Sequence, residues 1–293
     1  MSVTQQAARA FDDVVDEAAV MSQARAENFP VAMKLLPAGT RDDLLAIYGY
    51  ARLVDDLGDE VAGDRFAALD WAEQQLDAAI AGRADHGVFV ALEATIARHG
   101  LARKPFADLI EANRLDQVKV RYDTWDELRH YCTLSADPVG RLVLAVFGVD
   151  DLRRRTWSDM VCTGLQLVEH LQDVGEDYDA GRIYLPVTDM DRFGCVESDL
   201  DADTAGVALR RVVAYETFRA RELLRRGSRL VASLRRKRRL AIAGFVAGGH
   251  AALDAIEAAD HDVLGADVTP RPHRLGARLV ESLVKAPMGT ADR

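Results

Sequence analysis

Residues 165–186 read LQLVEHLQDVGEDYDAGRIYLP, and this stretch decides which fold the chain can adopt. Its acidic residues Glu169, Asp173 and Asp177 are spaced at i, i+4 and i+8. Residues four apart lie on one side of an α-helix, so this spacing predicts a helix with three carboxylates along one face. Leucine and valine residues between them supply an apolar face, which indicates that the helix packs against others.

A second acidic stretch lies earlier in the chain, where residues 48–60 read YGYARLVDDLGDE. Tyr48, Arg52, Asp55 and Asp59 fall at i, i+4, i+7 and i+11, which places all four on one helical face. One interpretation is a solvated helix end, in which Arg52 forms an i,i+3 ion pair with Asp55. Acidic residues near a helix C-terminus are unfavourable against the helix dipole, and this favours a functional interpretation.

Together, the two acidic faces indicate a metal site. If they faced each other in a helical bundle, their carboxylates would repel unless cations lay between them. Hard divalent ions such as Mg²⁺ take oxygen ligands and leave positions for water and substrate phosphates. The stretch at 165–186 alone would also suit a second solvated face, but two faces of matched geometry favour the metal. His170 lies about 100° around the helix from Glu169 and is expected to be a packed or supporting residue rather than a ligand.

Composition restricts the class of protein. The 293 residues are 49% hydrophobic, enough for a sizeable core, and their net charge of −10 argues against a nucleic-acid partner. No uninterrupted apolar run reaches the roughly 20 residues of a membrane span, and the N-terminus does not read as a secretory signal. Cys132, Cys162 and Cys195 fit neither a disulfide framework nor a zinc site. The expected location is therefore the reducing cytoplasm.

Helix-type periodicity runs through nearly the whole chain, without an alternating strand pattern or a fixed repeat. Thr40 is a candidate cap for the helix that follows it, and Thr124 with Glu127 forms a capping-box pattern. The sequence predicts one all-α domain over residues 1–267 and a partly flexible tail over 268–293. The predicted helices cover residues 2–24, 40–59, 64–82, 86–99, 103–120, 124–134, 137–148, 152–179, 201–227 and 235–264.

Four segments carry a resemblance to a known family. They read ENFPVAMKLLP at 27–37, AIYGYARLVDDLGDE at 46–60, YCTLSADPVGRLVLAVFG at 131–148 and the stretch at 165–186. In their order and separation the chain resembles the squalene/phytoene synthase family, and most closely its bacterial hydroxysqualene synthase branch in hopanoid biosynthesis. The resemblance implies the class I isoprenoid synthase fold, a single-domain helical bundle with a central cavity.

The resemblance also implies roles for individual residues. The metal-binding motifs correspond to Asp55, Asp59, Asp173 and Asp177, joined by Glu169, where many members have Asn. Positions near the diphosphate correspond to Arg52, Arg182 and Asp116. Side chains expected around the reacting end of the substrate are Phe29, Tyr48 and Tyr184, and Tyr131 is expected to bind the substrate through its π-face. Positions expected to line the central cavity are Gln166, Ala136, Val139 and Gly140.

The implied activity is that of a hydroxysqualene synthase. In that reaction presqualene diphosphate ionises with the help of two or three magnesium ions, the cation rearranges, and water captures it. No NADPH is expected, in agreement with the absence of a GxGxxG fingerprint. Two alternatives stay open. One is a synthase that condenses two prenyl diphosphates to presqualene diphosphate or phytoene, and the other is a non-catalytic relative that acts as an assembly factor.

One basic cluster departs from the acidic composition, because residues 235–239 read RRKRR. A solvated helix start accounts for it. The alternative is peripheral contact with anionic lipid at the inner membrane face, since the implied substrate and product both partition into membranes. The sequence does not indicate an oligomeric state.

Overall fold

A computed structural model describes residues 36–270 and 272–284 of the chain. These residues form α-helices and one short 3-10 helix, with a single isolated β-bridge and no β-strand among them. The prediction of an all-α fold is therefore confirmed. The predicted helix at 2–24 and the predicted site residue Phe29 lie outside the described residues.

The described residues divide into two compact units. The first unit comprises residues 36–118 and 138–151, and the second comprises residues 119–137 together with all described residues from 152 onwards. Each unit has a core of its own, and the single-domain organisation stays a prediction.

The first unit is built around the aromatic side chains of Tyr50, Phe89 and Phe106. The ring of the fully buried Tyr50 meets Phe106 edge-on at 5.2 Å and Phe89 at 5.8 Å between centroids. Its hydroxyl donates a hydrogen bond of 2.9 Å to the carbonyl of Phe106, so the buried phenol is satisfied. The helices of this unit are α1 (Ala38–Asp59), α2 (Arg65–Ile80), α3 (Gly87–His99), α4 (Arg103–Asp116) and, apart from its first residue, α6 (Asp137–Val146).

The second unit holds the remaining helices. They are α5 (Trp125–Ser135), α7 (Leu152–Gln172), α8 (Val174–Asp179), α9 (Val187–Phe193), a 3-10 helix (Glu197–Asp201), α10 (Val207–Gly227), α11 (Arg229–Ser233), α12 (Arg236–Ala258) and α13 (Pro272–Val284). α10 packs along α7, and both contact α12. Leu209, Val213 and Leu224 on α10 are fully buried. Burial of each such side chain contributes about 1.5–3 kcal/mol to the free energy of unfolding, so the contacts of α10 with its neighbours stabilise the unit.

Several helix boundaries differ from the predicted ones. The helices predicted over 103–120, 201–227 and 235–264 are shorter in the structure, at Arg103–Asp116, Val207–Gly227 and Arg236–Ala258. The helix predicted over 152–179 divides at Asp173, whose backbone leaves helical geometry (φ −102°, ψ 14°). The first described helix begins two residues before Thr40, so the predicted cap at Thr40 is wrong. The capping-box prediction is confirmed in its first half, because the Thr124 hydroxyl accepts a hydrogen bond of 3.3 Å from the N–H of Glu127.

Three helices of the structure are not predicted by the periodicity of the sequence. α9 and α11 span two turns or fewer, which is too short for an apolar period to stand out. α13 lies within the predicted tail and packs against α12. The flexibility of the tail stays a prediction, but part of its sequence is helical.

Among the described helices, only α12 is long and apolar enough to cross a membrane. However, 56% of its most apolar window is buried inside the structure. Core helices of helical proteins have the same length and composition. Because α12 packs against α7, α10 and α13, we interpret it as a core helix.

Candidate active site

The first acidic motif occupies the last two turns of α1. Asp55 and Asp59 are exposed, whereas the leucine and valine residues around them are fully buried. The two aspartates are one helical turn apart, so their carboxylates leave the same side of α1. Tyr48 and Arg52, which lie earlier on this side, are half-buried. The helix therefore turns its acidic face away from the core of the first unit.

The Asp55 carboxyl is held by a neighbour on α4. Asn113 Nδ2 donates a hydrogen bond of 3.0 Å to Asp55 Oδ1. Although Asp55 is accessible to solvent, the surrounding protein desolvates its carboxyl and raises its pKa to about 7; the Asn113 hydrogen bond opposes this rise, and the charge of Asp59 adds to it. A bound cation stabilises the ionised form of such a carboxyl group, which burial otherwise disfavours.

Gly58 makes the contact between Asn113 and Asp55 possible. A Cβ atom at residue 58 would lie 2.1 Å from Asn113 Oδ1 and 2.9 Å from its Cγ. The amide of Gln117 donates a hydrogen bond of 3.0 Å to the carbonyl of Gly58, which ties the two chain segments together. Sequence reasoning missed Asn113. The only signal was a pair of amide side chains, Asn113 and Gln117, one turn apart beside the acidic motif.

We expect Gly58→Ala to destabilise the protein and to weaken Mg²⁺ binding at the same time. The new methyl group must displace the Asn113 side chain, which costs about 1–3 kcal/mol of the free energy of unfolding, and Asp55 then loses its donor. Urea denaturation and Mg²⁺ titration measure the two effects. The double variant G58A/N113A removes the clash, so it should be more stable than G58A while Mg²⁺ binding stays weak. A double variant no more stable than G58A would contradict this account.

Arg52 pairs with carboxylates at the end of its own helix. Its Nε lies 2.8 Å from Oδ1 of Asp56, and its Nη2 lies 3.5 Å from Oε1 of Glu60. Arg52 thus forms an i,i+4 pair with Asp56, one position beyond the i,i+3 pair with Asp55 that was considered from the sequence. Asp116 is half-buried in the last turn of α4, in the same unit. Contact of Arg52 and Asp116 with a diphosphate stays a prediction.

The second acidic motif lies where α7 ends and α8 begins. Glu169 and Asp173 are exposed, and Asp177 is half-buried. Helix-type hydrogen bonds continue across the division, because the N–H of Asp173 donates to the carbonyl of Glu169 (3.0 Å) and that of Asp177 donates to Asp173 (2.7 Å). The spacing of one turn between carboxylates is therefore kept. Burial raises the pKa of Asp173, and the charge of Glu176 adds to the rise.

Backbone hydrogen bonds fix the loop after this motif. Gly181 turns the chain with a left-handed φ of 81°, which glycine adopts without strain. The N–H of Arg182 donates to the carbonyl of Asp177 (2.8 Å), and the N–H of Ile183 donates to that of Val120 (3.0 Å). These bonds place the half-buried Arg182 directly after the acidic motif.

Aromatic rings collect beside this loop. Tyr184 stacks on His170, with ring centroids 3.9 Å apart and planes 11° from parallel. The rings of Tyr122 and Tyr131 lie 5.7 and 5.4 Å from that of Tyr184. The sequence does not single out Tyr122, because one tyrosine outside a helix gives no periodic signal. The cluster supplies the π-faces that stabilise cations.

His170 supports this cluster. It is 8% exposed, and burial lowers its pKa to about 3, with the positive charge of Arg182 acting in the same direction. The imidazole is therefore neutral at physiological pH. Its Nδ1 lies 3.9 Å from Oδ2 of Asp177, which is too far for a hydrogen bond. This placement agrees with the interpretation of His170 as a packed, supporting residue.

Replacing His170 by alanine and by phenylalanine separates the role of stacking from that of the ring nitrogens. We expect H170A to lower kcat/KM for diphosphate release by about 10- to 100-fold, because Tyr184 loses the ring on which it stacks and is displaced. His170→Phe keeps a flat ring and should stay within a few-fold of the wild type. Steady-state kinetics, with thermal unfolding as a check on folding, decide the matter. Equal losses in both variants would show that the stack is not the relevant feature.

Asp137 is fully buried at the start of α6, beside α5 and α7. Arg129 Nη2 donates to its Oδ2 and Thr163 Oγ1 to its Oδ1, both at 2.9 Å. Burial raises the pKa of Asp137 to about 6, against the lowering effect of Arg129. These contacts fix a segment whose neighbours are predicted to line a cavity. Those neighbours are buried or half-buried, namely Ala136, Val139, Gly140 and Gln166.

The chemistry of the acidic motifs fits magnesium. Within the residues that the structure describes, no three side chains of His, Cys, Asp or Glu are grouped closely enough to hold a metal ion. The carboxylates of the two motifs are instead arranged along helix ends, as Asp55 with Asp59 and as Glu169 with Asp173 and Asp177. Mg²⁺ is typically bound by one or two carboxylates and completes its shell with water and substrate phosphates.

Comparison with solved structures shows the class of protein to which the fold belongs, the class I isoprenoid synthases. A solved structure with this fold, squalene synthase HpnC from Alicyclobacillus acidocaldarius, matches with a TM-score of 0.77 and 43% identity over 84% of this chain and 96% of that chain. The family model for squalene/phytoene synthase matches residues 22–276. The chain therefore belongs to the squalene/phytoene synthase family.

Relatives within this family have more than one activity. Hydroxysqualene synthase from Rhodopseudomonas palustris is 37% identical over 215 residues, 72% of this chain and 72% of that protein. The 15-cis-phytoene synthase from Synechococcus elongatus is 32% identical over 252 residues, 81% of this chain and 82% of that protein. The family acts on prenyl diphosphates in isoprenoid biosynthesis, and this chain belongs with those enzymes.

Proposed function

We propose that the chain is a hydroxysqualene synthase, which converts presqualene diphosphate and water to hydroxysqualene and diphosphate. The carbon–oxygen bond to the diphosphate breaks, and its electron pair leaves with the diphosphate. The cyclopropane ring opens as the cation rearranges. The oxygen of water then forms the new carbon–oxygen bond and releases a proton. Since no electrons are exchanged with a cofactor, NADPH is not required.

The observation that carries this choice is the pattern of likeness within the family. Three bacterial hydroxysqualene synthases are 34–37% identical to the chain. Phytoene synthases from a cyanobacterium and a plant are 32% and 30% identical. The difference is modest, but it points in the same direction as the sequence motifs at 27–37 and 131–148.

Charged side chains of both acidic motifs suit the departure of diphosphate. Bound Mg²⁺ would neutralise the charge that develops on the leaving group. Asp55 and Asp59 would hold metal in the first unit, and Glu169, Asp173 and Asp177 would do so in the second. Arg182 follows the second motif directly and is proposed, with Arg52, to bind diphosphate oxygens. The number of metal ions stays a prediction.

The aromatic cluster of the second unit suits the hydrocarbon part of the reaction. Tyr131 and Tyr184 are buried rings, and the π-face of such a ring attracts a carbocation that lies beside it. The neutral His170 stacks on Tyr184 and adds no positive charge beside that ring. A protonated imidazole in its place would repel the same cation. The neutral imidazole is therefore compatible with a cationic intermediate near these rings.

A condensing synthase is the second candidate. It would join two prenyl diphosphates to presqualene diphosphate or phytoene, and the same acidic motifs would serve it. The phytoene synthase of S. elongatus matches a larger share of the chain than the hydroxysqualene synthase of R. palustris does, 81% against 72%. This wider match is the observation that favours the alternative.

Product analysis in ¹⁸O-labelled water distinguishes the candidates. The purified protein is incubated with presqualene diphosphate, farnesyl diphosphate or geranylgeranyl diphosphate, with and without Mg²⁺ and NADPH. We expect ¹⁸O-labelled hydroxysqualene from presqualene diphosphate, dependent on Mg²⁺ and independent of NADPH. Turnover of farnesyl or geranylgeranyl diphosphate alone would overturn the proposal in favour of condensation. No turnover of any substrate would favour the assembly-factor alternative. A cytoplasmic location stays a prediction.

A further inference from the structure

Basic side chains collect at one end of the second unit, here called the basic end. They come from the start of α7, the end of α10, α11 and the start of α12. Exposed members are Arg153, Arg226, Arg229, Arg236, Lys237 and Arg238. Arg154 Nη2 donates to the carbonyl of Ser233 (3.5 Å), and a Cβ atom at Gly227 would lie 2.9 Å from the carbonyl oxygen of Trp157. These contacts hold the segments together, in a chain whose net charge is −10.

The start of α12 is an unfavourable place for these charges. Arg236, Lys237 and Arg238 occupy the first turn, where the helix dipole is positive and cations are destabilising. Arg236 also has a φ of 52°, in the left-handed region that residues other than glycine rarely adopt. These residues are therefore unfavourable for the helix in two ways, through their charge and through the backbone conformation of Arg236. Unfavourable local features of this kind often serve a function, and here they indicate a functional surface.

Aliphatic side chains are exposed at the same end. Leu152, the first residue of α7, is 81% exposed, and Val280 and Val284 on α13 are 62% and 77% exposed. Arg239 Nη2 donates a hydrogen bond of 2.6 Å to the carbonyl of Leu283, which ties the end of α13 to the start of α12. Val280 and Val284 are one turn apart, so they form an apolar ridge beside the basic side chains.

We propose that the basic end, together with Leu152, Val280 and Val284, docks on an anionic lipid bilayer. Lysine and arginine attract the anionic headgroups, and exposed aliphatic side chains gain by entering the boundary between headgroups and acyl chains. The contact is peripheral, because α12 itself is a core helix. Docking of this kind is independent of the proposed reaction.

A nucleic acid suits this surface less well. Proteins that bind single strands offer aromatic side chains on which bases stack. The side chains that stand out at the basic end are aliphatic, and the nearby ring of Trp157 is covered by the guanidinium of Arg153 at 4.8 Å. Charge complementarity and exposed aliphatic groups together favour lipid.

Flotation of the full-length protein with vesicles tests this surface. We expect binding to vesicles of roughly one-third phosphatidylglycerol in phosphatidylcholine, weakened by salt, and little binding to phosphatidylcholine alone. R236Q/R238Q should lower the partition coefficient by about 25-fold, since each basic side chain contributes about fivefold. The matched control R211Q/R274Q removes two exposed arginines near the opposite ends of α10 and α13, and it should bind like the wild type.

V280S/V284S tests the aliphatic part of the surface. It should weaken binding to anionic vesicles without changing the salt dependence, because no charge is altered. Circular dichroism confirms that each variant is folded. Equal losses in R236Q/R238Q and R211Q/R274Q would overturn the proposal, since net charge alone would then explain binding. Displacement of the protein from vesicles by a low concentration of a DNA oligonucleotide would overturn it in favour of nucleic acid.

Discussion

Asp55→Asn is expected to lower Mg²⁺-dependent diphosphate release by about 10²- to 10³-fold while the metal-free protein becomes no less stable. The amide binds Mg²⁺ more weakly than the carboxylate does, so less metal is available to neutralise the charge on the leaving diphosphate. The amide is isosteric with the carboxylate and still accepts the hydrogen bond from Asn113, so folding is not disturbed. Activity and stability are therefore predicted to separate in this variant.

The pH dependence of stability follows from the raised pKa of Asp55. In the folded protein this pKa is about 7, above the ordinary value of 3.8, so the unfolded state ionises first as pH rises. Ionisation thus lowers the free energy of unfolding of the metal-free wild type progressively between about pH 4 and pH 7. The amide that replaces the carboxyl in D55N cannot ionise. The stability advantage of the variant should be absent near pH 4, grow up to pH 7 and stay constant above it.

Thermal unfolding in EDTA at several pH values measures this difference, and diphosphate release measures activity. Asp42→Asn is the matched control, because Asp42 is an exposed aspartate in the first turns of the same helix. It should alter neither activity nor the pH dependence. A D55N variant that is less stable than the wild type at pH 8 would show that Asp55 has a structural role instead.

Asp137→Ala is expected to produce the largest loss of stability. Removing one partner from a buried ion pair costs about 3–5 kcal/mol, because the other groups lose their compensation. Here the guanidinium of Arg129 and the hydroxyl of Thr163 both lose their acceptor. Since these residues lie on α5 and α7, the contact between the two helices at the start of α6 should loosen.

Urea denaturation measures the Asp137 effect. Asp137→Asn should cost less than Asp137→Ala, because its amide oxygen still accepts from Thr163 and fills the same volume. Asp126→Ala is the surface control on α5 and should stay within about 0.5 kcal/mol of the wild type. If the alanine and asparagine variants at residue 137 were equally stable, the hydrogen bonds to this carboxylate would not contribute as argued.

Local periodicity accounts for the parts of the structure that the sequence predicts well. The i,i+4 spacing of Asp55 and Asp59 requires only a helix, and α1 is that helix. The same holds for Glu169 and Asp173, although the helix divides at Asp173. The apolar periodicity continues across Asp173, and so do the backbone hydrogen bonds. The sequence pattern therefore does not indicate that the helix divides there.

Contacts distant in sequence account for what was missed. Asn113 reaches Asp55 from 58 positions away along the chain, through an approach that depends on Gly58 having no side chain. His170 was recognised as a supporting residue, but its stack on Tyr184 depends on the loop at Gly181 returning the chain to α7. Such pairings arise from the packing of whole elements, and spacing within one segment does not reveal them.

The stack of His170 on Tyr184 should give a distinctive histidine signal in the proton NMR spectrum of the unlabelled protein. Protons of an imidazole that lies flat over a phenol ring at 3.9 Å experience the ring current, so their resonances are shifted upfield. The chain has seven histidines, and a pKa of about 3 means that the resonances of His170 should not move between pH 5 and pH 8. Burial also lowers the pKa of His250, to about 4, so the upfield shift distinguishes the signal of His170 from that of His250. Movement of the His170 signal on addition of a diphosphate would report, without any label, how the tyrosine ring turns when the site fills.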